Sequence, residues 1–270
     1  MQLYFYAKSG HNFGLENIRR VSAVFNLLKS SDPILCSADY RAATFAKEFL
    51  GVTKGVGVDV IGNLPHVMER GDMLIYDSNE ASETMTAHMN DFCQHIYKIG
   101  KEIPYELVDE TYTLDNTIKN EKAVFFSDDD YANWFFDLSK NGKKQDIPLV
   151  LGHYFFLGND DILKDFFSEI IEDEDYKETV KSTKYLLTAS VHTAIESLAS
   201  GNKPVFFKRK DKDIVENLDI LEKYKIPTID GDTIDELITN FNKTIESYPN
   251  TVEIKPFNIS KIKEEIENKV

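Results

Sequence analysis

Short apolar runs alternate with amphipathic stretches along nearly the whole chain, and that alternation most constrains the fold. Strands buried on both faces of a parallel sheet read as continuous apolar runs. The crossover helices between them carry one apolar face. The pattern predicts an α/β fold. Residues 2–7 read as a first strand, 9–14 as a polar glycine-containing turn, and 15–28 as a helix with Ile18, Val21, Phe25 and Leu28 on one face. A strand at 33–36, a helix at 40–50 and a strand at 73–76 ending at Asp77 follow. Met85, Met89, Phe92, Ile96 and Ile99 read as one helical stripe, and 104–108 and 123–127 as further strands.

Residues 139–146 (SKNGKKQD) hold no apolar side chain, and the sequence predicts a domain boundary there, giving 1–142 and 143–270. A second strand–turn–helix series begins beyond it. Strands are expected at 147–151, 185–187, 205–207 and 227–229, and helices at 162–171, 193–199, 215–221 and 233–248. Ile259, Ile262 and Ile266 give the tail, 255–270, an apolar stripe by which to dock as a C-terminal helix. Two Rossmann-like parallel-sheet domains facing a cleft are the architecture these series predict.

Composition narrows the function. Asp and Glu total 46 against 31 Lys and Arg, a net charge of −15, which argues against nucleic acid or an anionic membrane as a general partner. It leaves an anionic small molecule open, because helix amides and one arginine can hold a phosphate. Two cysteines, Cys36 and Cys93, and no C-x-x-C spacing suggest a reducing compartment without a disulfide framework. The first ten residues lack the basic and apolar segments of a signal peptide, and no apolar run approaches a membrane span of roughly 18 residues. A cytoplasmic protein is expected.

In open parallel sheets ligands sit beyond the carboxyl ends of the strands. Three turns there hold three of the six histidines: His11 in 9–14, His153 in 152–160 and His192 in 188–193. Histidine in such a turn suits acid–base or phosphate work, and equally serves as a surface residue. In the third turn Ser190 and Thr193 can cap the next helix, whose free amides form an anion site. Glu196, one turn on, could accept hydrogen bonds from ribose hydroxyls. Asp128-Asp129-Asp130 offers oxygen ligands for a divalent cation, or a solvated strand end capping the next helix. His88 and His95, seven apart on one predicted helix face, have no evident third ligand. No metal or cofactor is expected. The acidic run 172–175 reads as a solvated turn, Cys36 and 134–136 as packing. Tyr154-Phe155-Phe156 reads either as a stacking platform or as core.

The stretch LLTASVHTAIESLASGNKPVFF, 186–207, resembles the nucleotide-binding helix of GT-B glycosyltransferases, in particular the class of the peptidoglycan N-acetylglucosaminyltransferases. The resemblance implies that Glu196 holds the nucleotide ribose. The whole layout is similar to the UDP-sugar hydrolases of pseudaminic-acid biosynthesis: Ser9, then Gly14 to Arg20 opening a helix, Asp77 after LIY, 108–110, and Leu151-Gly152 at the start of the second half. That family's catalytic histidine falls at or near Asn17, which cannot act as a base. Either His11 replaces it or hydrolysis is lost. Gly152-His153 stands where the hydrolases pair glycines, and Val191-His192 where the transferases have glycine, so a Cβ obstructs close approach of phosphate.

These readings predict a nucleotide-sugar-binding protein that transfers or hydrolyses the sugar of a UDP-sugar. Gly152, His153, Ser190, His192, Thr193 and Glu196 would surround the nucleotide. His11, Asn17 and Arg20 would form the catalytic group, with His11 as base and Arg20 near sugar or phosphate. The alternative is a catalytically idle GT-B scaffold with a protein partner.

Overall fold

The computed structural model describes residues 1–112, 117–130, 132–155, 158–212, 217–254 and 259–267. Phe156, Val215, Lys255 and the side chain of Ile266, all named above, lie outside the described residues. The chain divides into two compact units, Met1–Glu110 with Pro256–Val270, and Thr111–Lys255.

The first unit runs β1 (Leu3–Ala7), α1 (Glu16–Leu27), β2 (Ile34–Ser37), α2 (Tyr40–Phe49), β3 (Gly55–Gly57), a 3-10 helix (Ile61–His66), β4 (Met73–Asp77), α3 (Glu83–Phe92) and β5 (His95–Lys98). Its sheet has the order β3-β2-β1-β4-β5, with every pair parallel. Tyr6 of β1 sits opposite Cys36 on one side and Tyr76 on the other. All five residues of β1 are buried, as a central strand covered on both faces requires. On one face α1 buries residues 18–25 without a break, and Phe25 meets Phe5 at 5.5 Å between ring centroids.

The second unit runs β6 (Asn120–Phe125), α4 (Trp134–Lys140), β7 (Leu149–Val150), α5 (Asn159–Leu163), β8 (Ile170–Ile171), α6 (Tyr176–Ser182), β9 (Thr183–Thr188), α7 (Val191–Ala199), β10 (Lys203–Phe207), α8 (Leu218–Tyr224), β11 (Thr228–Ile229) and α9 (Ile234–Glu246). The order is β11-β10-β9-β6-β7-β8, again parallel throughout. Its core is aromatic: Phe126 stacks on Phe135 at 4.7 Å, and Phe135 on Phe167 at 5.8 Å. The closing helix α10 (Ser260–Glu267) groups with the first unit and buries Ile259 and Ile262.

Five expectations change. The boundary lies at Glu110/Thr111, not at 142/143, because β6 pairs with β7 and β9 and so opens the second sheet. The polar stretch 139–146 is stitched down instead of linking: Lys143 N–H and Gln145 Nε2 both donate to Asp235 Oδ1, at 3.1 and 2.7 Å, and Gly142 abuts Ile234. The tail from Pro256 groups with the first unit and not with the second domain. The stripe from Met85 breaks at Phe92, where Cys93 turns extended, so Ile96 and His95 lie on β5 and His88 shares no helix face with His95. No strand forms over 104–108, and the helix expected over 162–171 stops at Leu163, leaving 170–171 to β8.

Candidate functional site

In each sheet the crossovers diverge from the first strand, so the crevice for a ligand opens between β1 and β4 in the first unit and between β6 and β9 in the second. The two edges are built differently.

After β1 the chain makes a tight loop in which the amides of Phe13 and Gly14 both donate to Gly10 O, at 2.9 and 2.8 Å. Gly10 and Gly14 have φ of 126° and 69°, the left-handed region that favours glycine. His11 is exposed on this loop. Asn17 and Arg20 are committed to structure. Asn17 donates through Nδ2 to Lys8 O at 3.1 Å and accepts from Arg20 Nη2 at 2.5 Å. Arg20 Nε lies 2.7 Å from Asp77 Oδ2, and the guanidinium sits 3.8 Å over the Tyr105 ring. Only 2% of that side chain is exposed. Burial pulls the Arg20 pKa down, while Asp77, Tyr105 and Glu16 push it higher still, so the charge stays.

A second group at this edge has no spacing signal in the sequence. Glu80 accepts from Tyr6 Oη at 2.7 Å and from Ser78 Oγ at 3.2 Å, and pairs with Lys8 Nζ at 2.5 Å. Burial raises the Glu80 pKa, but the hydrogen bonds from Lys8 and Tyr6 outweigh it and hold the carboxyl below its usual range. Burial and Glu80 together push Tyr6 up.

In the second unit the triple aspartate is buried instead of solvated. Asp129 pairs with Arg209 at 3.1 Å and with Lys212 at 3.1 Å, and Arg209 also meets Asp211 at 2.5 Å and lies 4.3 Å over the Phe126 ring. Asp130 accepts from the amides of Phe135 and Phe136, at 3.0 and 2.9 Å, and so caps α4. Among the described residues no cluster of His, Cys, Asp or Glu could hold a metal ion. Cys36 and Cys93 are free and buried, and burial pushes their thiols up to about 12 and about 11.

Gly152 packs on backbone: a Cβ there would stand 2.2 Å from Ser127 O. Next to it Tyr154 N–H donates to Asp128 O at 2.8 Å, and Tyr154 is core, at 1% exposure. His153 Nδ1 lies 2.5 Å from Asp173 Oδ2, so the acidic run 172–175 is partly a partner for histidine.

Ser190 caps α7, its Oγ accepting from Thr193 N–H at 3.0 Å. The amides of Val191 and His192 find no acceptor among the described residues. His192, Thr193 and Glu196 come together, but inward. Tyr176 Oη bonds both Thr193 Oγ1, at 2.7 Å, and Glu196 Oε2. His192 Nε2 lies 3.3 Å from Glu196 Oε1, and His192 Nδ1 is buried without a partner. Glu196 is 1% exposed with both oxygens engaged. On the same carboxyl edge, at the ends of β10 and β11, a cavity of about 500 Å³ is lined by Lys208, Arg209, Lys210 and Lys212 with Thr228, Ile229 and Asp230.

No family model matches the chain, and no curated protein matches it in sequence. Solved structures do match in shape. UDP-GlcNAc 2-epimerase of Methanocaldococcus jannaschii, in complex with UDP-GlcNAc and UDP, aligns with a TM-score of 0.56 at 11% identity, over 99% of this chain and 99% of that one. A Listeria monocytogenes structure assigned to UDP-N-acetylglucosamine 2-epimerase gives 0.56 at 11% identity, over 100% and 98%. With the two parallel sheets these likenesses show the fold, the GT-B architecture of two Rossmann-like units. Among the described residues no helix is long and apolar enough to cross a membrane.

Proposed function

We propose that the chain binds a nucleotide-sugar, a UDP-sugar in the first instance, and transfers or hydrolyses its sugar at the sugar–phosphate bond. The observation that carries this reading is the opening of α7. A Ser190-capped helix starts at the β6/β9 switch point with the Val191 and His192 amides lacking acceptors, which is the chemistry a diphosphate needs. A cavity of small-molecule size on the same sheet edge supports it. So does the UDP-sugar bound by a structure of the same fold.

In this reading Ser190, His192 and Thr193 stand near phosphate, Gly152 and His153 brace the loop beside them, and Glu196 serves ribose once Tyr176 releases it. The first unit supplies the acceptor or water. His11 is its base, worth roughly 10²–10⁴ in rate when hydrogen-bonded to the attacking group. Asn17 and Arg20 act as positioning residues, fixing the start of α1 behind the loop that carries His11.

A second reading, a GT-B scaffold without turnover, is favoured by one observation: the carboxylate and guanidinium groups at both edges are spent on protein partners. Melting temperatures with and without UDP, UDP-N-acetylglucosamine and a CMP-sugar test binding. Ligand at a hundred times its Kd should add ~2.7 kcal/mol. Failure of all three to raise the melting temperature overturns the nucleotide-sugar reading. A rise without release of UDP from the UDP-sugar in water excludes hydrolysis, and the same result across a panel of acceptors selects the scaffold.

A further inference from the structure

Helix α3 is the loosest element of the first sheet. It is capped by Ser82, whose Oγ accepts from Met85 N–H at 3.2 Å, and its far end is tied by Arg70 Nη1 donating to Asp91 O at 2.6 Å. Between those ties no residue of α3 is fully buried, whereas α1 buries eight in succession. Its apolar stripe, Met85, Met89 and Phe92, is only half-buried. The stripe faces a cavity of about 470 Å³, closed on the other side by the 3-10 helix with Leu64, by Met68, and at its floor by Leu74 of β4. That volume lies within the ~300–1,000 Å³ of small-molecule sites. The lining is mainly apolar, its polar side chains being Arg70, His88 and Asp91, so water among Leu64, Leu74 and the methionines is poorly held. Methionine thioethers adapt their shape to a flexible apolar guest. The lining's one permanently charged cation is Arg70, exposed and oriented by Asp91 O and by the Phe92 ring 5.6 Å below it.

We propose that this cavity binds a single hydrocarbon chain whose anionic head group rests on Arg70. The inference stands apart from the nucleotide-sugar reading, since no residue of the cavity belongs to the groups invoked there.

Five methionines make a direct test. Met68, Met85 and Met89 line the cavity. Met73 alternates with Leu74 on β4 and so points to the opposite face of the sheet, and Met1 is exposed. The full chain labelled with [¹³C-methyl]methionine is titrated with dodecanoate below its micelle concentration, and separately with dodecanol. Both chains should move the methyl signals of Met68, Met85 and Met89 well beyond those of Met1 and Met73. Arg70→Ala should weaken dodecanoate about tenfold more than dodecanol, the loss of one charge-assisted hydrogen bond beyond any loosening of α3 that both chains feel. Met89→Trp, which fills the space, should weaken both. Signals that stay still, or that move alike for all five methionines, overturn the proposal. An Arg70→Ala variant that holds dodecanoate as tightly as the parent overturns it too.

Discussion

The two sheets share a topology but close their ligand-facing edges by opposite means. In the first unit long-range side-chain bonds tie the end of β4 to its neighbours: Arg20 of α1 to Asp77, and Lys8 with Tyr6 to Glu80. In the second unit the backbone comes first. Gly152 lies against Ser127 and Asp128, Ser190 caps α7, and Asp130 caps α4. Charges there, Asp129 with Arg209, buttress a shape that packing has already set. The difference teaches where each edge yields. A charge-closed edge opens when one partner is removed, whereas a backbone-closed edge opens only when something is forced between its parts.

The sharpest way to break the comparison is Arg20→Met. Removing the Arg20 charge from this buried pair should cost the first unit roughly 3–5 kcal/mol. Calorimetry should show the loss, and hydrogen exchange should confine it to β1, α1 and β4. Equal deprotection of β6 and β9 would refute the separation of the two edges. Gly152→Ala is the counterpart in the second unit. A Cβ 2.2 Å from Ser127 O forces the β6–α4 turn away, at a cost of about 1–3 kcal/mol, with deprotection around α4 and not around α1.

Tyr176→Phe asks a finer question. It removes the hydroxyl that bonds Glu196 and Thr193, so UDP should bind at least as tightly as to the parent if Glu196 serves ribose. Tenfold weaker binding in calorimetric titration would make the Tyr176–Glu196 contact itself part of the site. The smallest effect concerns acid. Glu80 is held below its ordinary pKa in the folded state, so its contribution is present above an unfolded value of about 4.3 and fades as pH falls through the lower folded value. The stability gap between parent and Glu80→Gln should therefore be open at pH 7 and narrow progressively as pH falls below about 4.3 in urea titrations.

Much of this was legible in the sequence for definite reasons. The turn after β1, the Ser190 cap and the α/β alternation are local, written in residues a few places apart. The Arg20–Asp77 pair spans 57 positions and Arg209–Asp129 spans 80, and no local pattern announces either. The misplaced boundary came from composition: a linker-like stretch of lysines and glycine is polar because it lies on the surface, yet Asp235 holds it in place. Ile96 and Ile99 continued the rhythm of α3 by coincidence, since β5 is an edge strand whose four residues are all half-buried and carry little alternation. Glu196 was rightly seen as near the α7 opening, but spacing could not tell that Tyr176 and His192 turn it inward.

The return of α10 to the first unit makes the second an insertion within the first. During synthesis the segment Thr111–Lys255 is complete, with all six of its strands, while the first unit still waits for its last helix. The second sheet therefore needs nothing from α10 to be complete. A chain truncated after Lys255, and so lacking α10, should carry a protease-resistant second unit and a first unit that is still open.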